Sequence, residues 1–71
     1  MDNVERIATT FCDLKRAGVY VGSKYKPVAS MDGYFAIYKS DTGIENCGFQ
    51  ADTFSDAVNM ALGWAVAKGI L

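Results

Sequence analysis

The chain has 71 residues, of which 51% are hydrophobic, with seven Lys and Arg against eight Asp and Glu, no histidine and a net charge of −1. That length makes one domain, 1–71, near the lower limit for a chain that folds unaided, and its apolar content excludes disorder. The near-zero charge excludes a general field for nucleic acid or an anionic membrane, and leaves little repulsion between copies.

Residues 3–17 read as a first helix. Asp2 or Asn3 caps it, and Val4, Ile7, Phe11 and Leu14 recur at helical spacing with Ala8 beside them. Glu5, Arg6, Thr9, Asp13 and Arg16 fall on the other side, and Gly18 ends the helix. Val19–Ser23 is a short strand, with Gly22 as a candidate bulge. Pro27 limits the stretch from Lys24 to Ser30 to an edge or a broken strand, because proline has no amide to donate.

Asp32-Gly33 and Asp41-Thr42-Gly43 are turn signals. Between them Tyr34–Lys39 is the strongest strand by propensity, and Ile44–Gln50 pairs with it as a hairpin. Side-chain hydrophobicity puts Phe35, Ile37, Cys47 and Phe49 towards the helices. Tyr34, Ala36 and Tyr38 then face the other way, beside Ile44, Asn46 and Gly48.

The best-specified stretch is the last helix, within Thr53–Ile70. Thr53 is its N-cap with Asp56 three residues on, Lys68 complements the dipole, and Gly69 is the left-handed stop. Phe54, Val58, Ala61 and Ala65 form one stripe, flanked by Ala57, Leu62 and Trp64. The expected fold is α+β, in the order α-β-β-β-α: a small antiparallel sheet of two or three strands covered on one face by two helices. The expected core is Val4, Ile7, Phe11, Leu14, Phe35, Ile37, Phe49, Phe54, Val58, Ala61, Leu62 and Ala65, with Trp64 at its margin.

The chemistry-bearing residues point away from catalysis. Without histidine there is no Ser-His or Cys-His nucleophile and no His-containing metal site. Asp32, Asp41 and Glu45 lie at turns, where acidic residues belong for backbone reasons, and the glycines occur singly rather than as a phosphate loop. We expect no catalytic residues, no cofactor and no metal. The N-terminus carries charge at once, and the longest uncharged run, Ala57–Ala67, is too short to cross a bilayer. A cytoplasmic protein with Cys12 and Cys47 as buried free thiols is the expectation, with one disulfide between them as the alternative.

The last helix should be charged on its outward arc, yet that arc carries Asn59, Met60, Gly63 and Ala67 with Asp56 as its only charge. Gly63-x-x-x-Ala67 makes a groove of small side chains, and Met60 beside Trp64 adds adaptable apolar surface. These residues, with Tyr34 and Tyr38 on the sheet, are the candidate contact for another protein or for a second copy of the chain in a homodimer.

Helix, three antiparallel strands and helix resembles the layout of double-stranded RNA-binding domains across most of the chain. That family carries lysines at the start of its last helix, where this chain has Thr53, Ser55 and Asp56, with Lys68 at the far end. The alternative nucleic-acid surface is Lys24-Tyr25-Lys26 with Lys39 and the sheet tyrosines, which would stack single-stranded bases. In size and style the chain resembles the accessory proteins of bacteriophages and prophages, some of which inhibit host machinery. The expected function is a non-catalytic protein-interaction module of that kind, with a structural subunit of a larger assembly as a further alternative.

Overall fold

The computed structural model describes residues 3–24 and 33–71. The described elements run α1 (Asn3–Ala17), β1 (Val19–Lys24), β2 (Gly33–Ser40), β3 (Gly43–Asn46) and α2 (Phe54–Ala67). The three strands form an antiparallel sheet in the order β1-β2-β3, and both helices pack on one face of it and against each other.

Local chemistry sets the boundaries. Gly18 turns α1 into β1 in a single residue at φ +100°, a conformation that only glycine adopts without strain. Its carbonyl accepts the Lys39 amide at 2.8 Å, which seats the start of β1 on the end of β2. Thr53 caps α2, its hydroxyl oxygen accepting the Asp56 amide at 3.1 Å. At the other end Gly69 is left-handed, the Gly69 amide reaches the Val66 carbonyl and the Ile70 amide reaches the Ala65 carbonyl. Those two bonds satisfy carbonyls that the end of a helix would otherwise leave unpaired, and they fold Ile70 back onto the core.

The strands differ from expectation in three ways. Gly22 is no bulge: it pairs with Phe35 in an unbroken register from Val19↔Tyr38 to Lys24↔Gly33. β3 stops at Asn46 rather than running to Gln50. Gly48 turns left-handed at φ +84°, and the Asn46 side-chain oxygen accepts its amide at 2.7 Å. The chain then rejoins β2 at Ala51, which exchanges both hydrogen bonds with Tyr34. Continued without a break, the β2–β3 register would bring Phe49 to that place, so two extra residues bulge out between Cys47 and Ala51.

The third difference is which sheet face is inside. Ala36 is fully buried, and Tyr34 and Tyr38 turn towards α2, packing on Phe54 and Trp64 with ring centroids 5.9 and 5.7 Å apart. Val19 and Val21, opposite Tyr38 and Ala36, are buried on that same face. Phe35 and Ile37 therefore lie on the far face, half-buried, with Tyr20, Lys39, Ile44 and Asn46. The physical reason is fit. α2 lays Ala57, Ala61 and Ala65 against the sheet, all fully buried. A close approach needs a small residue opposite, and Ala36 provides it. The two tyrosines then bracket the alanine contact at the two ends of α2.

The core is Ile7, Leu14, Val19, Val21, Ala36, Cys47, Ala51, Ala57, Val58, Ala61 and Ala65, with Phe11, Tyr34, Tyr38, Phe49, Phe54, Trp64 and Ile70 packed around it. Phe11 meets Phe54 across the two helices at 5.4 Å. Val4, expected inside, is 80% exposed at the start of α1, and Leu62 is half-buried where α2 passes α1. Both cysteines are free, but only Cys47 is buried; Cys12, also expected inside, is exposed on the outer side of α1.

Candidate functional site

The seven residues nominated as a protein contact do not form one surface. Tyr34, Tyr38 and Trp64 are half-buried in the packing between α2 and the sheet. They hold α2 in place rather than standing on an open sheet face. Asn59, Met60, Gly63 and Ala67 are exposed on the side of α2 away from the core. Val66 joins them at 57% exposure, and Met60 is 44% exposed. Helical spacing alone places Val66 next to Asn59 and Gly63, so the pattern that found the arc also contained this residue.

Gly63 sits in mid-helix, and beyond its chain neighbours and its own helix backbone nothing described lies within 4 Å of where a Cβ would stand. Its smallness therefore serves no contact among the described residues. Charge is confined to the ends of the arc, at Asp56 in the first turn and Lys68 at the C-cap. Lys68 is engaged on its own chain: its ammonium lies 3.4 Å from a Glu45 carboxylate oxygen and 5.3 Å from the centre of the Trp64 ring. Both Lys68 and Glu45 remain about half exposed, so this pair adds little stability and mainly orients the C-terminal end of α2 over β3.

Two further surfaces carry apolar side chains. A shallow cleft of about 430 Å³ lies between the N-terminal halves of the helices, lined by Val4, Ile7, Ala8, Phe54 and Ser55. The sheet face turned from the helices presents Tyr20 and Ile44, the latter 66% exposed, on either side of Ile37. Lys39 is exposed on that face, opposite Ile44 in the register. Tyr34 and Tyr38 are not beside it as a stacking surface, because they point to the helices. Tyr25, Lys26 and the segment to Asp32 lie outside the described residues, and Lys24 is described only by its backbone pairing at the end of β1.

Among the described residues no three Cys, Asp or Glu side chains gather as metal ligands. The Cys47 thiol is pushed up from its ordinary range. Burial raises its thiol and the nearby Glu45 charge adds to this, while Lys68 opposes both. A raised, buried thiol is a poor nucleophile and here acts as a small core residue. No described helix is long and apolar enough to cross a membrane. Comparison with known protein families, with curated proteins and with solved structures finds no match.

Proposed function

We propose that this chain is a non-catalytic protein-interaction module that docks through the exposed side of α2. One observation carries the reading: Met60 and Val66 stand in solvent around Gly63, with no charge on that side of the helix between Asp56 and Lys68. Covering such a surface strips water from apolar groups without burying an unpaired ion, and Gly63 lets a partner's backbone come close. The partner is another protein or a second copy of the chain. The role proposed for it is an accessory one of the bacteriophage type, in which the module occupies and modulates a host protein.

The test is affinity capture from a host lysate with wild type and with Gly63→Glu. The glutamate would enter open space, so the variant should fold as wild type does by circular dichroism and lose the captured partner. Sedimentation at rising concentration distinguishes a self-partner, because Gly63→Glu should then convert a dimer to a monomer. Retention of every partner by a folded Gly63→Glu variant removes the reading. The nucleic-acid alternative draws support from Tyr20 and Lys39 sharing the sheet face away from the helices. It requires oligonucleotide affinity that falls steeply with salt and is lost in Lys24→Glu/Lys26→Glu.

A further inference from the structure

The free edge of β1 offers a second contact, separate from the exposed side of α2. The Lys39 amide bonds the Gly18 carbonyl, which fixes the alternation of the ladder. Gly18, Tyr20 and Gly22 bond towards β2, so the amides and carbonyls of Val19 and Val21 point out of the sheet. Among the described residues no strand pairs with that side. The two edges of the sheet are not equally protected. β3 has four residues, carries Glu45 and ends in a bulge, all features that discourage pairing. β1 has six residues, regular throughout, with no charge from Val19 to Ser23.

A cleft of about 410 Å³ lies at the start of this edge, where α1 leads into β1, lined by Cys12, Lys15 and Arg16 of α1 and by Tyr20 of β1. Tyr20 belongs to the face turned from the helices, so a cleft it shares with α1 must pass the edge itself. Its charged lining is cationic. Arg16 has an ion-pair partner in Asp13 at 3.0 Å, but both side chains are largely in water and the pair is easily exchanged. Lys15 makes no ion pair among the described residues.

We infer that the β1 edge takes up an extended, acidic peptide segment of a partner protein as a fourth, antiparallel strand. Main-chain bonds to Val19 and Val21 hold it, and its C-terminal acidic residues meet Lys15 and Arg16. A second copy is the wrong occupant on charge. Antiparallel pairing of two β1 strands about Val21 sets Lys24 of one copy opposite Gly18 of the other, next to Lys15 and Arg16, and so gathers like charges.

The experiment follows backbone amide resonances of the whole chain while adding the blocked peptide Thr-Val-Thr-Val-Thr-Asp-Asp, its counterpart ending in two lysines, or oligothymidylate. The acidic peptide should shift the Val19 and Val21 amides and bind about tenfold more tightly than the lysine peptide. Lys15→Glu/Arg16→Glu changes only exposed side chains, should keep the fold, and should reverse that preference. Equal affinity for the two peptides, or shifts confined to α2, would overturn the inference. Shifts of Val19 and Val21 with protein concentration alone would assign the edge to a second copy instead. Oligothymidylate moving Lys15 and Arg16 but neither valine amide would assign the cleft to nucleic acid.

Discussion

The Gly18 carbonyl accepts the Lys39 amide at 2.8 Å, and a Cβ on Gly18 would stand 2.7 Å from the Lys39 carbonyl oxygen. The residue joining α1 to β1 thus touches the end of β2 through backbone on both counts, and no side chain can swing aside to make room. Gly18→Ala meets that clash and a left-handed φ together, and should lower stability by about 2–4 kcal/mol. Urea unfolding measures it; a loss below about 0.5 kcal/mol would mean that the connection relaxes freely.

The alanine contact between α2 and the sheet has its own signature. Ala61 and Ala36 are both fully buried, so there is no slack for a larger residue. Ala61→Leu should destabilise by about 1–3 kcal/mol despite leucine's good helix propensity. The same change should alter Trp64 fluorescence, because lifting α2 separates Trp64 from Tyr38. An unchanged midpoint and emission spectrum would contradict close packing at this point.

Gly63 tests the opposite case. With open space beside it, alanine there gains helix propensity and meets nothing. Gly63→Ala should raise stability by about 0.5–1 kcal/mol in the isolated chain. A destabilised variant would mean that the backbone at this position is not plain helix. If the glycine is retained for a docking partner, the same stabilised variant should bind that partner less well.

The two thiols should behave differently. Cys12 is exposed and should react with an aromatic disulfide reagent on mixing, whereas Cys47 should react only at the rate at which the core opens. Cys47 also gives a pH dependence. Its folded pKa is raised above the ordinary thiol value of 9.0, so the folded state holds the proton more tightly than the unfolded state does. Its contribution is fully present below pH 9.0 and is lost as pH rises from there through the folded pKa. Cys47→Ala should flatten that alkaline decline of stability, and an identical decline in the variant would assign it to other groups.

Much of this architecture could be read from the residues, and the exceptions have physical causes. The boundaries of α1, the Thr53 cap and the Gly69 stop depend on neighbours within a few positions, and a linear pattern records such relations directly. Which side of β2 is buried depends on α2, because Ala36 is chosen by Ala57, Ala61 and Ala65 and not by its own hydrophobicity. Alternation separates Phe35 and Ile37 from Tyr34 and Tyr38, but cannot say which set is inside. Val19 and Val21 hold that information only once the β1–β2 register is known. The exposed side of α2 was legible because one helix defines its own outside, whereas the β1 cleft needed α1, Gly18 and the free edge to be seen together.

The detour between Cys47 and Ala51 has a parity. Because it adds an even number of residues, Cys47 and Ala51 both keep their side chains under the helices even though the ladder is broken between them. Removing a pair of residues there would close the gap and leave every later side chain on its own side. Removing one would turn the whole approach to α2 inside out.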